Sequence, residues 1–242
     1  MAAKSESRLW IDELPPRSLF EPGDVPGSKA TVQSMLSRMA SDPQASGVER
    51  VHHGLYFKRE DFWWIDANEN DVIRAAFRIA GPGAGMTNFT ALNRLFWVWQ
   101  VPNATYLITA ADTLPSTPLL DGVRWELIPD AEHRMELSGA ECSLLEAARW
   151  TVWVEREWDD LLKEIMTKPQ CPFWRTLNSI GGDLRPDALR EVAALEKPTH
   201  LEAKLLDSCG PSHGVPLKSR IENVAAAIET RYKADREGWV LI

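Results

Sequence analysis

Side chains able to contact a charged, hydrogen-bonding polymer are concentrated in residues 28–58. Within residues 28–40 the apolar side chains are spaced three and four apart, which places them on one face of a predicted helix. They are Val32, Met35, Leu36 and Met39. The remaining side chains are hydroxyls, one amide and two cations, without a carboxylate: Ser28, Lys29, Thr31, Gln33, Ser34, Ser37 and Arg38. Cations bind phosphates, and hydroxyls and amides bond to base edges, so we expect this helix to lie in a DNA groove. An ordinary amphipathic surface helix has the same spacing.

Four more side chains suited to phosphate contacts follow in a predicted two-stranded β-ribbon. Residues 48–51 and 55–57 are expected to form its strands, and Gly54 between them can adopt the positive φ of a tight turn. The four side chains are Arg50, His52, His53 and Lys58. We expect them to anchor the ribbon on phosphates beside the helix.

The elements around the predicted helix follow the order of a helix-turn-helix motif. Residues 21–25 are expected to form a short helix, which ends at the break formed by Pro26 and Gly27. Ser28 is a suitable N-cap for the second helix, and Pro43 ends it by disfavouring helical geometry at Asp42. In this motif the second helix enters the major groove.

Residues 15–58 resemble the N-terminal winged helix of type IV toxin–antitoxin antitoxins, the AbiEi-like abortive-infection regulators. A proline-bounded lead-in precedes a helix of the pattern Ser-(Arg/Lys)-x-x-Val-x-x-x-Leu-Ser-Arg, and an Arg-Val-x-x-Gly-(Val/Leu)-Tyr ribbon follows. The matching residues are Ser28, Lys29, Val32, Leu36, Ser37 and Arg38, then Arg50, Val51, Gly54, Leu55 and Tyr56. A looser similarity continues to residue 165.

The resemblance implies a bacterial repressor that binds an inverted repeat of double-stranded DNA in its own promoter, with self-association on DNA. It also implies that the protein counteracts a nucleotidyltransferase toxin without a stable complex. Two features depart from the family pattern. Residues 42–47 make a longer connection than usual, and His52 and His53 stand where an arginine is common, which weakens phosphate attraction unless they are protonated.

The charge of the chain limits how it can bind DNA. The net charge is −8, and residues 1–66 contain eight Lys/Arg against ten Asp/Glu. Residues 28–59 are locally positive, because Lys29, Arg38, Arg50, Lys58 and Arg59 outnumber the two acids of this stretch. We therefore expect specific binding, modest non-specific affinity and a steep dependence on salt.

The rest of the chain predicts an α+β fold with a helical C-terminus. The expected division is a winged helix-turn-helix domain over residues 1–66, an α+β domain over 67–167 and a helical region over 168–242. Strands are expected at 103–110 and 122–128, because these stretches are rich in β-branched and aromatic residues. Helices are expected at 68–80, 87–99, 137–150, 155–166, 186–195, 198–207 and 216–236.

Catalytic, cofactor and metal sites find little support in the sequence. The three cysteines, Cys142, Cys171 and Cys209, are scattered, and the glycine-rich stretch 81–85 lacks a phosphate-binding pattern. Asp121 and Glu126 offer a weak carboxylate pair, which leaves a metal-dependent nuclease open as an alternative. No apolar run could span a bilayer, and no signal-peptide core is present, so the sequence predicts a cytoplasmic protein with no membrane partner.

Eleven tryptophans leave a further alternative open. Large aromatic side chains mainly fill cores, but Trp is also common among interface anchors. Trp150, Trp153 and Trp158 lie close together in sequence. A winged helix used as a protein-interaction module, without DNA binding, is therefore the second hypothesis, and the acidic net charge favours it.

Overall fold

The fold is α+β, as the sequence predicts. The computed structural model describes residues 5–60, 69–95, 97–112, 114, 123–128, 131–151, 158–168, 171–197 and 216–236. Its contacts divide the chain into an N-terminal unit, Met1–Ala76, and a C-terminal unit, Phe77–Ile242. The predicted boundary after residue 66 lies ten residues before this division.

The N-terminal unit contains a small antiparallel sheet, of which the β-ribbon forms two strands, and three helices that precede the ribbon. In chain order the elements are α1 (Glu6–Glu13), β1 (Leu19–Phe20), α2 (Lys29–Ser41), α3 (Pro43–Ser46), β2 (Val48–His52) and β3 (Leu55–Lys58). The strand order is β1-β3-β2, with Leu19 opposite Phe57 and Arg50 opposite Tyr56. The predicted helix over residues 28–40 and the predicted ribbon are confirmed.

The predicted short helix over residues 21–25 is wrong, because these residues form a turn. The side chain of Asp24 accepts a hydrogen bond of 2.9 Å from the backbone N–H of Glu21, and this bond closes the turn. The helix that precedes the turn is α1, which the sequence reasoning did not identify. The turn expected at residues 42–47 also contains the one-turn helix α3, whose N-cap is Asp42 and whose end is Gly47 at φ 70°.

The core of the N-terminal unit lies between α1, α2 and the sheet. Its members are the buried side chains of Ile11, Phe20, Val25, Val32, Leu36, Met39, Val48 and Tyr56. The rings of Phe20 and Tyr56 stack with their centroids 5.9 Å apart. Because Ile11 and Phe20 come from segments before the turn, α1 and β1 are part of the scaffold that holds α2.

Arg17 explains why the N-terminal unit extends to Ala76. Its guanidinium forms ion pairs with Asp71 and with Glu60, and Arg74 donates to the carbonyl oxygen of Arg17 at 3.2 Å. Asp71 and Arg74 belong to α4 (Glu69–Ala80), which confirms the helix expected at 68–80. Phe62, Trp63 and Trp64, which the sequence suggests as an aromatic bridge between the domains, lie outside the described residues.

The C-terminal unit combines a three-stranded sheet with helices. After α4, the chain forms β4 (Gly85–Met86), α5 (Asn88–Arg94), β5 (Thr105–Thr109), β6 (Val123–Leu127), a 3₁₀ turn (Glu132–Arg134), α6 (Gly139–Trp150), α7 (Trp158–Thr167), α8 (Pro172–Ile180), α9 (Pro186–Leu195) and α10 (Leu217–Arg236). The strand order is β4-β5-β6; β4 and β5 are antiparallel, whereas β5 and β6 are parallel.

Helix α6 has ten buried residues, more than any other helix in the described part of this unit. The spacing of Ser138 and Glu141 in the sequence is that of a capping box, and the structure forms it: the Ser138 hydroxyl accepts from the Glu141 N–H, and the Glu141 carboxylate accepts from the Ser138 N–H. Helix α8 was not predicted, because the two prolines Pro169 and Pro172 in the sequence favour a break in the chain at residues 169–172. Helix α5 is shorter than the expected 87–99. None of the described helices has the length and apolar character needed to cross a membrane.

Candidate nucleic-acid interface

Helix α2 exposes the polar side chains that the sequence singled out. Its N-cap is confirmed, because the Ser28 hydroxyl accepts from the Thr31 N–H at 3.4 Å. The exposed side chains are Ser28, Lys29, Thr31, Gln33, Ser34, Ser37 and Arg38. Every residue that the sequence placed on the outer face of this helix is therefore accessible.

The opposite face of α2 is fixed in the core. Val32 and Leu36 are fully buried, and Met39 is 7% exposed. This packing sets the rotation of the helix about its axis, which keeps the polar face outward. Lys29 and Arg38 lie near its two ends, about 14 Å apart along the helix axis at the usual rise per residue.

The ribbon adds one cation and two imidazoles. Arg50 and His53 are exposed, whereas His52 is half-buried. The pairing of β2 with β3 shifts register between Arg50 and His52, and such a bulge increases the local twist of a ribbon. The turn contains Gly54 at φ 80°, as its predicted position requires.

The structure gives Lys58 a different place from the expected phosphate contact. Its Nζ donates to the carbonyl oxygen of Ile11 at 3.1 Å, in the last turn of α1. The same carbonyl oxygen accepts from the N–H of the C-cap residue Leu14 at 3.2 Å, so Lys58 adds a charged donor at the C-terminal end of α1. Arg59 is 8% exposed. The exposed cations among residues 28–59 are thus Lys29, Arg38 and Arg50.

A shallow groove beside α2 contains a residue that sequence reasoning missed. Arg8 of α1 lies in this groove with Arg38, and Met35 and Met39 contribute apolar surface to it. The guanidinium of Arg8 donates to the Asp12 carboxylate at 2.9 Å and to the Ser46 carbonyl oxygen at 3.3 Å. Arg8 therefore ties α1 to α3, and Arg38 keeps the more exposed side chain of the two.

The C-terminal unit contains a buried ionic cluster that the sequence did not indicate. Arg134, which is fully buried, donates to Glu196 and to Glu146, the latter at 2.8 Å. Arg149 also pairs with both carboxylates, and His133 Nε2 lies 2.9 Å from Glu196 Oε1. Glu196 lies 47 to 63 positions from the three residues that contact it, so no local motif could have revealed the cluster.

Electrostatics inside the cluster favours the ionised forms. Burial alone would raise the pKa of Glu196, but the hydrogen bond from Arg134 and the charges of Arg134 and Arg149 lower it from 4.5 to about 2. Burial is also the largest influence on Arg134, yet hydrogen bonds and charges from Glu196 and Glu146 raise its pKa. Burial raises the pKa of the neighbouring Cys142 thiol to about 12, which makes it unreactive. We therefore assign the cluster a structural role.

The described residues contain no group of three or more His, Cys, Asp or Glu side chains that could hold a metal ion. Glu126, one member of the weak carboxylate pair, is an exposed residue of β6. Its expected partner Asp121 lies outside the described residues, as does Cys209. The structure thus adds no support for the nuclease alternative.

Comparison with family models, with curated proteins and with solved structures gave no match.

Proposed function

We propose that the N-terminal unit is a winged helix that binds double-stranded DNA, with α2 in the major groove and the β2–β3 ribbon as the wing. Three features support this assignment. A helix and a turn precede α2, an antiparallel ribbon follows it, and the strand order is β1-β3-β2. The order of elements is the one in which the helix after the turn reads the groove.

The observation that carries the proposal is the exposed face of α2. Two cations lie near its ends, hydroxyls and an amide lie between them, and the helix contains no acid. Charged ends suit phosphates, and short hydrogen-bonding side chains in the middle suit base edges. The opposite face, anchored in the core by Val32 and Leu36, holds this surface in one orientation, which sequence-specific recognition requires.

The biological role that we propose is an antitoxin-like transcriptional repressor. It binds an inverted repeat in its own promoter, autoregulates its operon and counteracts a nucleotidyltransferase toxin without a stable complex. The resemblance of residues 15–58 to AbiEi-like regulators supports this role, and a cytoplasmic location belongs to it. A nucleotidyltransferase encoded beside this chain, whose toxicity is relieved by co-expression of this protein, is the expected finding.

Binding to the upstream promoter fragment, measured by fluorescence anisotropy, tests the central claim. We expect the double variant Lys29→Ala/Arg38→Ala to lower affinity at least tenfold, because two contacts to phosphate or base edges are lost. The matched control is Lys163→Ala/Lys218→Ala, which removes two exposed cations of the C-terminal unit. Both variants change the net charge equally, so bulk attraction would affect them equally. Equal binding by both would reject α2 as the reading helix.

The second candidate is a protein-interaction module. The observation that favours it is charge: among the described residues 28–59 only three cations are exposed, in a chain of net charge −8. If the protein binds the promoter fragment and an unlabelled duplex of random sequence does not compete this binding away, DNA binding is the function. Absence of binding, together with a defined stoichiometric complex with the co-expressed toxin, would decide for the module.

A further inference from the structure

Strand β6 forms one edge of the sheet in the C-terminal unit. Among the strands that the structure describes, it pairs only with β5. None of its five residues is fully buried, whereas three of the five residues of β5 are. An open edge of this kind presents unpaired N–H and C=O groups to any strand that can align with it.

The backbone of β6 shows which groups face outward. The N–H of Ile128, just beyond the strand, donates to the Thr109 carbonyl oxygen of β5 at 3.2 Å. In a strand, successive residues direct their backbone groups to opposite sides, so those of residues 124 and 126 also face β5. The backbone groups of Val123, Trp125 and Leu127 therefore point away from β5, toward the side on which the described part of the chain has no paired strand.

The sequence of β6, Val-Arg-Trp-Glu-Leu, is complementary to itself when it runs antiparallel. With Trp125 opposite Trp125 of a second strand, Arg124 lies opposite Glu126 and Val123 lies opposite Leu127. The apolar residues share one face of the sheet and the charged residues share the other. A two-fold axis repeats each of these pairs, as a closed dimer interface requires.

We propose that β6 is a self-association surface, and that two copies of the chain join through antiparallel β6 strands centred on Trp125. The two sheets then form one continuous sheet. The outward backbone groups of Val123, Trp125 and Leu127 supply about six hydrogen bonds between the strands. Arg124 and Glu126 are both exposed, so their side chains are accessible to the partner copy.

The choice of a second copy rests on charge complementarity. A strand of another protein would need its own acid and base at the matching positions, whereas this chain already has both. A single strand pair buries less surface than a permanent dimer, so we expect a reversible dimer. The inference does not depend on DNA binding, since it concerns the C-terminal unit alone.

Sedimentation velocity over a range of concentrations tests the proposal. We expect Glu126→Arg and Arg124→Glu each to raise the dimer dissociation constant at least tenfold, because each substitution creates two repulsive pairs across the axis. Glu126→Arg is the cleaner variant, since Arg124 also stacks on Tyr106 with 5.8 Å between its Cζ and the ring centroid. The double variant Arg124→Glu/Glu126→Arg restores both pairs and should restore the dimer.

The charge-swap design separates loss of pairing from loss of folding. Lys163→Glu is the matched control, because it reverses one exposed cation on α7 and should leave dimerisation unchanged. Circular dichroism melting curves check that each variant is folded. A monomeric wild-type protein, a dimer that survives Glu126→Arg, or a folded double variant that stays monomeric would overturn the proposal. A heterodimer with a different protein in place of the homodimer would also overturn it.

Discussion

The carboxylate of Glu196 lies within ion-pair distance of Arg134, Arg149 and His133, which makes this residue the centre of the buried cluster. Its pKa is about 2 in the folded protein, below the ordinary value of 4.5. A depressed carboxyl pKa stabilises the fold above the unfolded pKa, and this contribution is lost as the pH falls from about 4.5 toward 2. The shift corresponds to about 3 kcal/mol.

We expect Glu196→Gln to lower the free energy of unfolding at pH 7 by about 3 kcal/mol, since it leaves Glu146 to neutralise two buried guanidinium groups that otherwise share two carboxylates. The loss should shrink below pH 4.5, where the wild type also loses this contribution. Urea unfolding at pH 7 and pH 3 measures both values. Glu191→Gln, at an exposed position on α9, whose C-cap is Glu196, is the control and should be neutral. A constant difference at both pH values would contradict the assignment.

Local signals made several individual residues predictable. Ser28 caps α2 because a hydroxyl at this position can reach the helical N–H groups, and the Ser138–Glu141 capping box follows from three-residue spacing. Lys58 was assigned to phosphate because sequence shows its charge but not the Ile11 carbonyl next to it. The Glu196 cluster was not predictable, since Arg134 is 62 positions away.

Gly85 in β4 lies against α6 so closely that a side chain does not fit. An added Cβ would lie 2.6 Å from the Cys142 Cβ and 3.0 Å from the backbone of α6. We expect Gly85→Ala to destabilise the protein by about 1–3 kcal/mol, because strand and helix must separate. Gly23→Ala is the control, since no atom lies within 4 Å of its added Cβ. Thermal melting of both variants gives the comparison, and equal melting temperatures would contradict the packing.

The elements that were predicted correctly are those with a strong repeating pattern or clear end signals. Helix α2 has apolar residues at helical spacing, and α9 begins at Pro186 as predicted. Helix α1 was missed because its eight residues bury only Ser7 and Ile11, which is too few for a visible period. Residues 21–25 were assigned to a helix by analogy with the motif, but Pro22 and Gly23 favour a turn.

For the whole molecule, the number of exposed cations sets the salt dependence of the proposed DNA binding. If Lys29, Arg38 and Arg50 each neutralise one phosphate, log K should fall with log salt with a slope of about −3. Lys29→Ala/Arg38→Ala should reduce the slope to about −1. Anisotropy titrations at several salt concentrations, from about 50 to about 200 mM, measure this slope. A much steeper slope would mean that further cations reach the DNA.

Helix α6 is synthesised well before some of the residues that contact it, so its packing must be completed late in synthesis. Arg220 of α10 donates to the Ala148 carbonyl oxygen at the end of α6, 72 positions earlier. At ordinary rates of translation this partner leaves the ribosome on the order of several seconds after α6. Met1–Ala76 forms a compact unit and is synthesised first, so the proposed DNA-binding unit can begin to fold while the rest of the chain is still being made. A ribosome stalled before residue 220 would therefore carry a folded first unit and an unfinished second one.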